Sequence, residues 1–145
     1  MTKKYTLKQY LPKMHYHAYN RGARQEVIFH DRNDFVTFKR ILRQEENKRS
    51  AQLILKAFCI LPNHFHLLIY QEKERAIISY MTSISMRYTH YYRRKYYHHG
   101  RLFESAYKAI LLPKEKDVGR VLNYILSNPT KAGLKRWSYV GRERL

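Results

Sequence analysis

Acidic residues are scarce in this 145-residue sequence: Asp and Glu total 11 against 29 Lys and Arg, a formal charge of +18, with a pI near 10.1. Solubility needs far less, so the imbalance points to a polyanionic partner. Cysteine occurs once. Cys59 therefore has no internal disulfide partner, and its apolar neighbours mark it as a small buried hydrophobe. No uninterrupted apolar run approaches the ~20 residues of a membrane-spanning helix. Met1-Thr2-Lys3-Lys4-Tyr5 leads into no signal-peptide core. These absences read as a cytoplasmic, nucleoid-associated protein. Repeats, low-complexity tracts and a second-domain linker are also absent.

What is abundant is aromatic: 14% of the residues, including 14 Tyr, within a hydrophobic fraction of 44%. That composition argues for a folded chain, and the length suits a single domain over residues 1–145. Residues 1–13 are basic and end in Leu11-Pro12, reading as an N-terminal arm. Basic residues alternate with aromatics along the chain, as stacking on bases beside phosphate contacts requires. Nucleic acid is thereby favoured over an anionic membrane.

The hydrophobic pattern predicts α+β order. Met14 to Asn20 alternates as a strand, with Met14, Tyr16 and Ala18 on one face and His15, His17 and Tyr19 on the other. Phe35, Phe38, Ile41 and Leu42 recur at helical spacing between Asp31 and Lys48, with Asp31 and Asn33 as candidate N-caps. Gln52 to Ile60 and the stretch from His64 read as a hairpin joined through Pro62-Asn63. A helix from Glu74 to Tyr97 carries Ile77, Met81, Ile84, Tyr88 and Tyr91, and its basic end should meet something acidic. Tyr107 to Leu112 reads as a short strand. A last helix from Asp117 carries Val118, Leu122 and Ile125 inward and should stop at Pro129. The β-α-β-β order is most of a ferredoxin-like split unit.

Two constellations carry chemistry. In Leu61-Pro62-Asn63-His64-Phe65-His66-Leu67-Leu68-Ile69, strand alternation points His64 and His66 the same way and Phe65, Leu67 and Ile69 the other, giving two imidazoles on a rigid apolar backing. His15 and His17 form a second such pair, and the pattern alone does not choose between them; for these two, sheet packing or DNA contact is the favoured reading. On the last helix, Tyr124 and Asn128 project from one flank, one turn apart. Two imidazoles, an amide oxygen and a phenol are the parts of a metal-assisted phosphodiester transesterification. Arg93, Arg94 and Lys95 suggest a phosphate-contacting surface, joined by Arg101, Lys108 and Arg120. Tyr88, Tyr91, Tyr92, Tyr96 and Tyr97 compete as base-stacking or packing tyrosines.

The histidine-hydrophobe-histidine run His64-Phe65-His66 resembles the HUH motif of single-tyrosine, IS200-like transposases of bacterial and archaeal insertion sequences. The likeness extends to Tyr19-Asn20-Arg21-Gly22, to Gly100-Arg101-Leu102-Phe103 with Tyr107-Lys108-Ala109, and to Tyr124-Ile125-Leu126-Ser127-Asn128-Pro129 with Lys131-Ala132-Gly133-Leu134. These are similar to the successive signatures of the REP-associated branch and span nearly the whole chain. The resemblance implies an antiparallel sheet with helices on one face. It also implies Tyr124 as nucleophile, and His64, His66 and Asn128 as ligands of Mg²⁺ or Mn²⁺. The implied substrate is single-stranded DNA beside a hairpin, cut with formation of a 5′-phosphotyrosine and a free 3′-hydroxyl. Relatives work as monomers or as homodimers with shared sites, and the sequence does not choose. Two other functions stay open: a hairpin-binding protein that does not cut, and a metal-dependent nuclease that uses water.

Overall fold

A computed structural model describes residues 11–131 and 139–143. Its elements are β1 (Met14–Arg21), a 3-10 turn (Ala23–Gln25), α1 (Arg32–Asn47), β2 (Leu53–Leu61), β3 (His64–Gln71), α2 (Ala76–Tyr96), β4 (Lys108–Leu112), α3 (Glu115–Lys131) and β5 (Tyr139–Arg142). The strands form one antiparallel sheet in the order β4-β1-β3-β2-β5. The proposed arm falls mainly on residues 1–10, outside the described residues, as do Ala132, Gly133 and Leu134 of the last signature. No helix among the described residues is long and apolar enough to cross a membrane.

Local chemistry explains the boundaries. The Asp31 side chain accepts from the Asp34 amide at 2.9 Å, satisfying one orphan donor of the first turn of α1. The two-residue connection Pro62-Asn63 turns β2 into β3, and its carbonyls are docking points. That of Pro62 accepts from the amides of Ile28 and Phe29 at 2.8 and 3.0 Å, and that of Asn63 from Gly22 at 2.9 Å. Gly22 has to be glycine in this approach, because a Cβ there would fall 2.3 Å from the Glu26 carbonyl oxygen.

Alternation sorts the sheet into two apolar layers. One holds Tyr16, Ala18, Leu55, Phe58, Phe65, Leu67 and Ile69 beneath α1 and α2, which contribute Phe35, Phe38, Leu42, Ile77, Tyr80, Ile84 and Tyr88. The other, on the opposite face, is small: Ala57, Cys59, Leu61, Leu68 and Leu112 covered by Ile125, with Val118, Val121 and Leu122 packed alongside. The ferredoxin-like sheet is thus as expected, with α1 and α2 together on one face. Helix α3 departs from the one-face arrangement. The reason lies in β2, whose residues from Ala57 to Leu61 are buried on both faces, so the far side also needs an apolar cover.

Two further differences concern the end of the chain. Helix α3 runs through Pro129 to Lys131 instead of stopping before it. Proline removes only one N–H, the partner of the Ile125 carbonyl, and the remaining backbone keeps its turn. Strand β5, too short to show alternation, pairs with the edge of β2 from Ala57↔Arg142 to Ile60↔Tyr139. Gly141 permits that contact, since a Cβ there would meet the Phe58 ring at 2.4 Å.

The acidic partner sought for the end of α2 is the start of α1. Asp34, fully buried, accepts from the hydroxyls of Tyr91 and Tyr96 at 2.6 and 2.5 Å, from Lys95 Nζ at 2.8 Å and from the His30 amide at 2.8 Å. Lys95 also reaches Asp31 at 2.7 Å. Burial disfavours the charged Asp34 carboxylate, but the bonds from Lys95, Tyr91 and Tyr96 outweigh it and hold the carboxyl below its usual range. Two more of the competing tyrosines are internally bonded: Tyr88 donates to the Ile28 carbonyl at 2.5 Å, and Tyr92 shares a hydrogen bond of 2.7 Å with His30, whereas Tyr97 is exposed.

A second buried carboxylate clamps α1 to α2. Glu45 receives Lys48, Arg49 and Arg87, each at 2.9 Å. Burial raises its pKa, yet these three cations prevail and hold it at about 2, from an ordinary 4.5. A carboxyl depressed in this way contributes stability that is present above its unfolded pKa and lost as pH falls. Urea unfolding should show the free energy declining between pH 4.5 and about 2. Glu45→Gln should remove the Glu45 share of that slope, leaving the part due to Asp34, and cost about 3 kcal/mol at neutral pH.

Candidate active site

The pairing of β1 with β3 sets Arg21 opposite His64, Tyr19 opposite His66 and His17 opposite Leu68. Residues 17, 19 and 21 of β1 and residues 64 and 66 of β3 therefore share the face that α3 covers. The His64 ring shares a hydrogen bond of 2.6 Å between its Nδ1 and Asn63 Oδ1. Amide oxygens only accept, so His64 donates from Nδ1 and its Nε2 keeps a free lone pair. The Asn63 amide is oriented by its own Nδ2, which donates to the Gln25 carbonyl at 3.3 Å.

His66, only 8% exposed, places Nδ1 2.9 Å from His17 Nε2, one proton serving the pair. Burial pushes His17 down to about 4. Burial, then the neighbouring His17 and His64, pushes His66 down to about 3. Burial and the Arg21 charge also lower His64. All three rings are neutral at physiological pH, the state in which imidazole donates a lone pair to a cation.

Tyr124 stands on this histidine floor within the same chain. Its ring centroid is 5.3 Å from that of His66, edge to face at 86°, and 6.3 Å from that of His17. The neighbouring Ile125, fully buried, fixes the helix, while Tyr124 is 44% exposed and open to a substrate. The space in front is a cleft of about 420 Å³ that brings together His64, His66, Lys108 and Tyr124 of the expected residues. Tyr19, Asn20, Arg21, Asn63, Glu104 and Ser105 complete its walls. Sequence reasoning assigned these six no role, although the signature Tyr19-Asn20-Arg21-Gly22 singled out three of them.

Asn128 lies one turn beyond Tyr124, half-buried, with its Nδ2 buried and without a hydrogen-bond partner. A buried amide with an open end is a polar group awaiting a ligand. Asn128 is not among the residues that line the cleft. Among the described residues no cluster of three His, Cys, Asp or Glu side chains could hold a metal ion. Two neutral imidazoles with an amide oxygen are nonetheless a chemically suitable donor set for a divalent ion whose remaining positions go to phosphate and water. Cys59, opposite His66 in the β2–β3 pairing, does not join it, because burial pushes its thiol up to about 12.

The basic residues separate into distinct places. Arg93 and Arg101 line a groove of about 500 Å³ that shares Ser105 with the cleft. Arg94 and Lys95 border another groove, with Arg87 and His90. Lys95, expected to contact phosphate, is instead engaged by Asp31 and Asp34, because the end of α2 docks on the start of α1. Arg120 is exposed and paired with Asp117 at 2.8 Å.

The sequence model of the family described as "Transposase IS200 like" matches residues 10–128. The chain belongs to that family. As an IS200-like transposase it is an enzyme of the tyrosine-transesterase type, acting on DNA. Similar folds include a REP-associated tyrosine transposase bound to a REP hairpin, at 16% identity and TM-score 0.70, covering 86% of this chain and 72% of that one. A putative transposase from Deinococcus radiodurans R1 shares 19% identity at TM-score 0.57, covering 81% and 92%. A bacterial tRNA(His) guanylyltransferase-like protein in complex with ATP shares the sheet architecture at 14% identity and TM-score 0.55, covering 90% and 63%. Among curated proteins, no sequence matches.

A buried thiol at about 12 and a fully covered Cys59 have a direct consequence. The native transposase should give no reaction with a disulfide reagent at pH 8 on the minute scale and one equivalent of reaction in denaturant. Rapid native labelling would mean that the small apolar layer under α3 is open.

Proposed function

We propose that this IS200-like transposase cuts and rejoins single-stranded DNA beside hairpins, with Tyr124 as nucleophile and His64, His66 and Asn128 as the ligands of a divalent ion, Mg²⁺ or Mn²⁺. The observation that carries the reading is the Tyr124 ring seated on His66 of its own chain. The Tyr124 hydroxyl oxygen attacks the scissile phosphorus and gives up its proton, the bond from phosphorus to the 3′-oxygen breaks, and the departing 3′-oxygen takes up a proton to become the free 3′-hydroxyl. One phosphodiester replaces another, so no nucleotide hydrolysis is needed. A free 3′-hydroxyl later reverses the step on the same or a new partner strand.

A neutral phenol is a weak nucleophile. A divalent ion, when bound, supplies charge neutralisation and orientation of the phosphate oxygens. Asn63 keeps the free nitrogen of His64 its Nε2, and the shared proton with His17 orients His66; such partners of ligand histidines set affinity as much as the ligands do. Lys108 adds positive charge at the cleft, and Arg93 and Arg101 extend it along the groove that meets it at Ser105. The structural likeness to a REP-hairpin complex supports REP-like hairpins or transposon ends as the substrate, within the REP-associated branch.

A labelled hairpin oligonucleotide with Mg²⁺ or Mn²⁺ tests the proposal. Wild type should form a covalent adduct that survives denaturing electrophoresis. Tyr124→Phe should form none, and His64→Ala, His66→Ala or EDTA should slow adduct formation at least about 100-fold. Cleavage without a protein-bound strand would favour water as nucleophile. Salt-sensitive hairpin binding that ignores EDTA and never cuts would favour a binding protein. With Tyr124 and His66 in one chain, mixing Tyr124→Phe with His64→Ala should restore no cleavage; recovered activity would show sites shared between chains.

A further inference from the structure

Facing the cleft is an ion pair that the assignments above leave unused. Arg21 ends β1 directly opposite His64. Its guanidinium grips Glu104 with two nitrogens, Nε to Oε2 and Nη2 to Oε1 at 3.4 Å. Both residues line the wall that His64, His66 and Tyr124 share. We propose that Arg21 is the cleft's binding group for the scissile phosphate and that the Glu104 carboxylate occupies it until DNA arrives. The inference rests on the cleavage reading above.

The geometry favours this over a purely structural pair. The connection between β1 and the loop carrying Glu104 is already made by the main chain. The Glu104 amide donates to the Arg21 carbonyl at 2.9 Å, the Ala23 amide to the Leu102 carbonyl at 2.8 Å, and Gly22 bridges to Phe103. The side-chain pair adds little to that tie, because Arg21 is 49% and Glu104 33% exposed, and exposed pairs are weak. A carboxylate held by two guanidinium nitrogens has the shape of a phosphodiester presenting two non-bridging oxygens to the same fork. Because the Glu104 backbone is pinned, its side chain can swing aside while the loop stays in place. Arg21 sits opposite His64 across the β1–β3 pairing and lines the same cleft, so a phosphate held by Arg21 would lie beside the ligand histidines. In the DNA-free protein, Glu104 would also compete with adventitious anions.

The test compares single-turnover adduct formation on a normal hairpin oligonucleotide and on one carrying a methylphosphonate, neutral at the scissile position. Arg21→Ala should slow the normal substrate about 100-fold with less than about threefold change in hairpin affinity. On methylphosphonate, wild type and Arg21→Ala should fall within about threefold of one another, because the charge that Arg21 meets is gone. Arg21→Lys should recover part of the loss. Glu104→Gln, which removes the carboxylate charge that competes for Arg21, should speed adduct formation several-fold at sub-saturating DNA. An undiminished Arg21→Ala defect on methylphosphonate, or no response to Glu104→Gln, would overturn the proposal while leaving Tyr124 chemistry intact. If Arg21→Ala failed to fold, Glu104→Gln and Arg21→Lys would still decide it. No adduct from wild type would overturn the cleavage reading itself.

Discussion

Everything at the site depends on the register between β1 and β3. Because side chains alternate with a period of two, one choice of pairing puts Arg21 beside His64 and Tyr19 beside His66 while keeping Tyr16, Ala18, Phe65, Leu67 and Ile69 in the large apolar layer. A slip by one residue would turn the histidines into that layer and the phenylalanine out of it. The core therefore holds the site chemistry in place: burial of Phe65 and Leu67 is what keeps His64 and His66 on the other side.

The hairpin tip makes the same point at the end of the sheet. Pro62 and Asn63 are bonded to Ile28, Phe29 and Gly22, while Arg21 at the end of β1 and Ala23 just after it are bonded in turn to Glu104 and Leu102. Asn20 adds a bond from its Nδ2 to the Ser105 carbonyl at 3.0 Å. Signatures far apart in the chain thus converge on one edge of the cleft. Their spacing in the sequence therefore reflects a local architecture built from hydrogen bonds between distant segments.

Much of this was legible in the sequence. Alternation in β1 and β3 predicted which side each histidine takes, and helical spacing predicted the apolar stripes of α1 and α2. Helix α3 was legible as a helix but not as the cover of the opposite face, since a stripe of Val118, Leu122 and Ile125 does not say which surface it meets. The partners of Lys95 were hidden because charge counts do not reveal Asp31 and Asp34, which lie about sixty positions earlier and approach only once α1 and α2 pack. The pairing of Arg21 with Glu104 was invisible for the same reason: an ion pair across 83 positions leaves no local pattern. The short β5 depends on Gly141 and Phe58 meeting across strands, again a matter of tertiary contact.

The two apolar layers share no residue, being divided by the sheet itself. Seven residues of α2 are buried, whereas Ile125 is the one fully buried anchor of α3 among the described residues. The helix carrying Tyr124 consequently belongs to a separate, smaller unit of local stability. Opening of that helix would expose the smaller layer of Ala57, Cys59, Leu61, Leu68 and Leu112 and leave the larger layer beneath α1 and α2 covered.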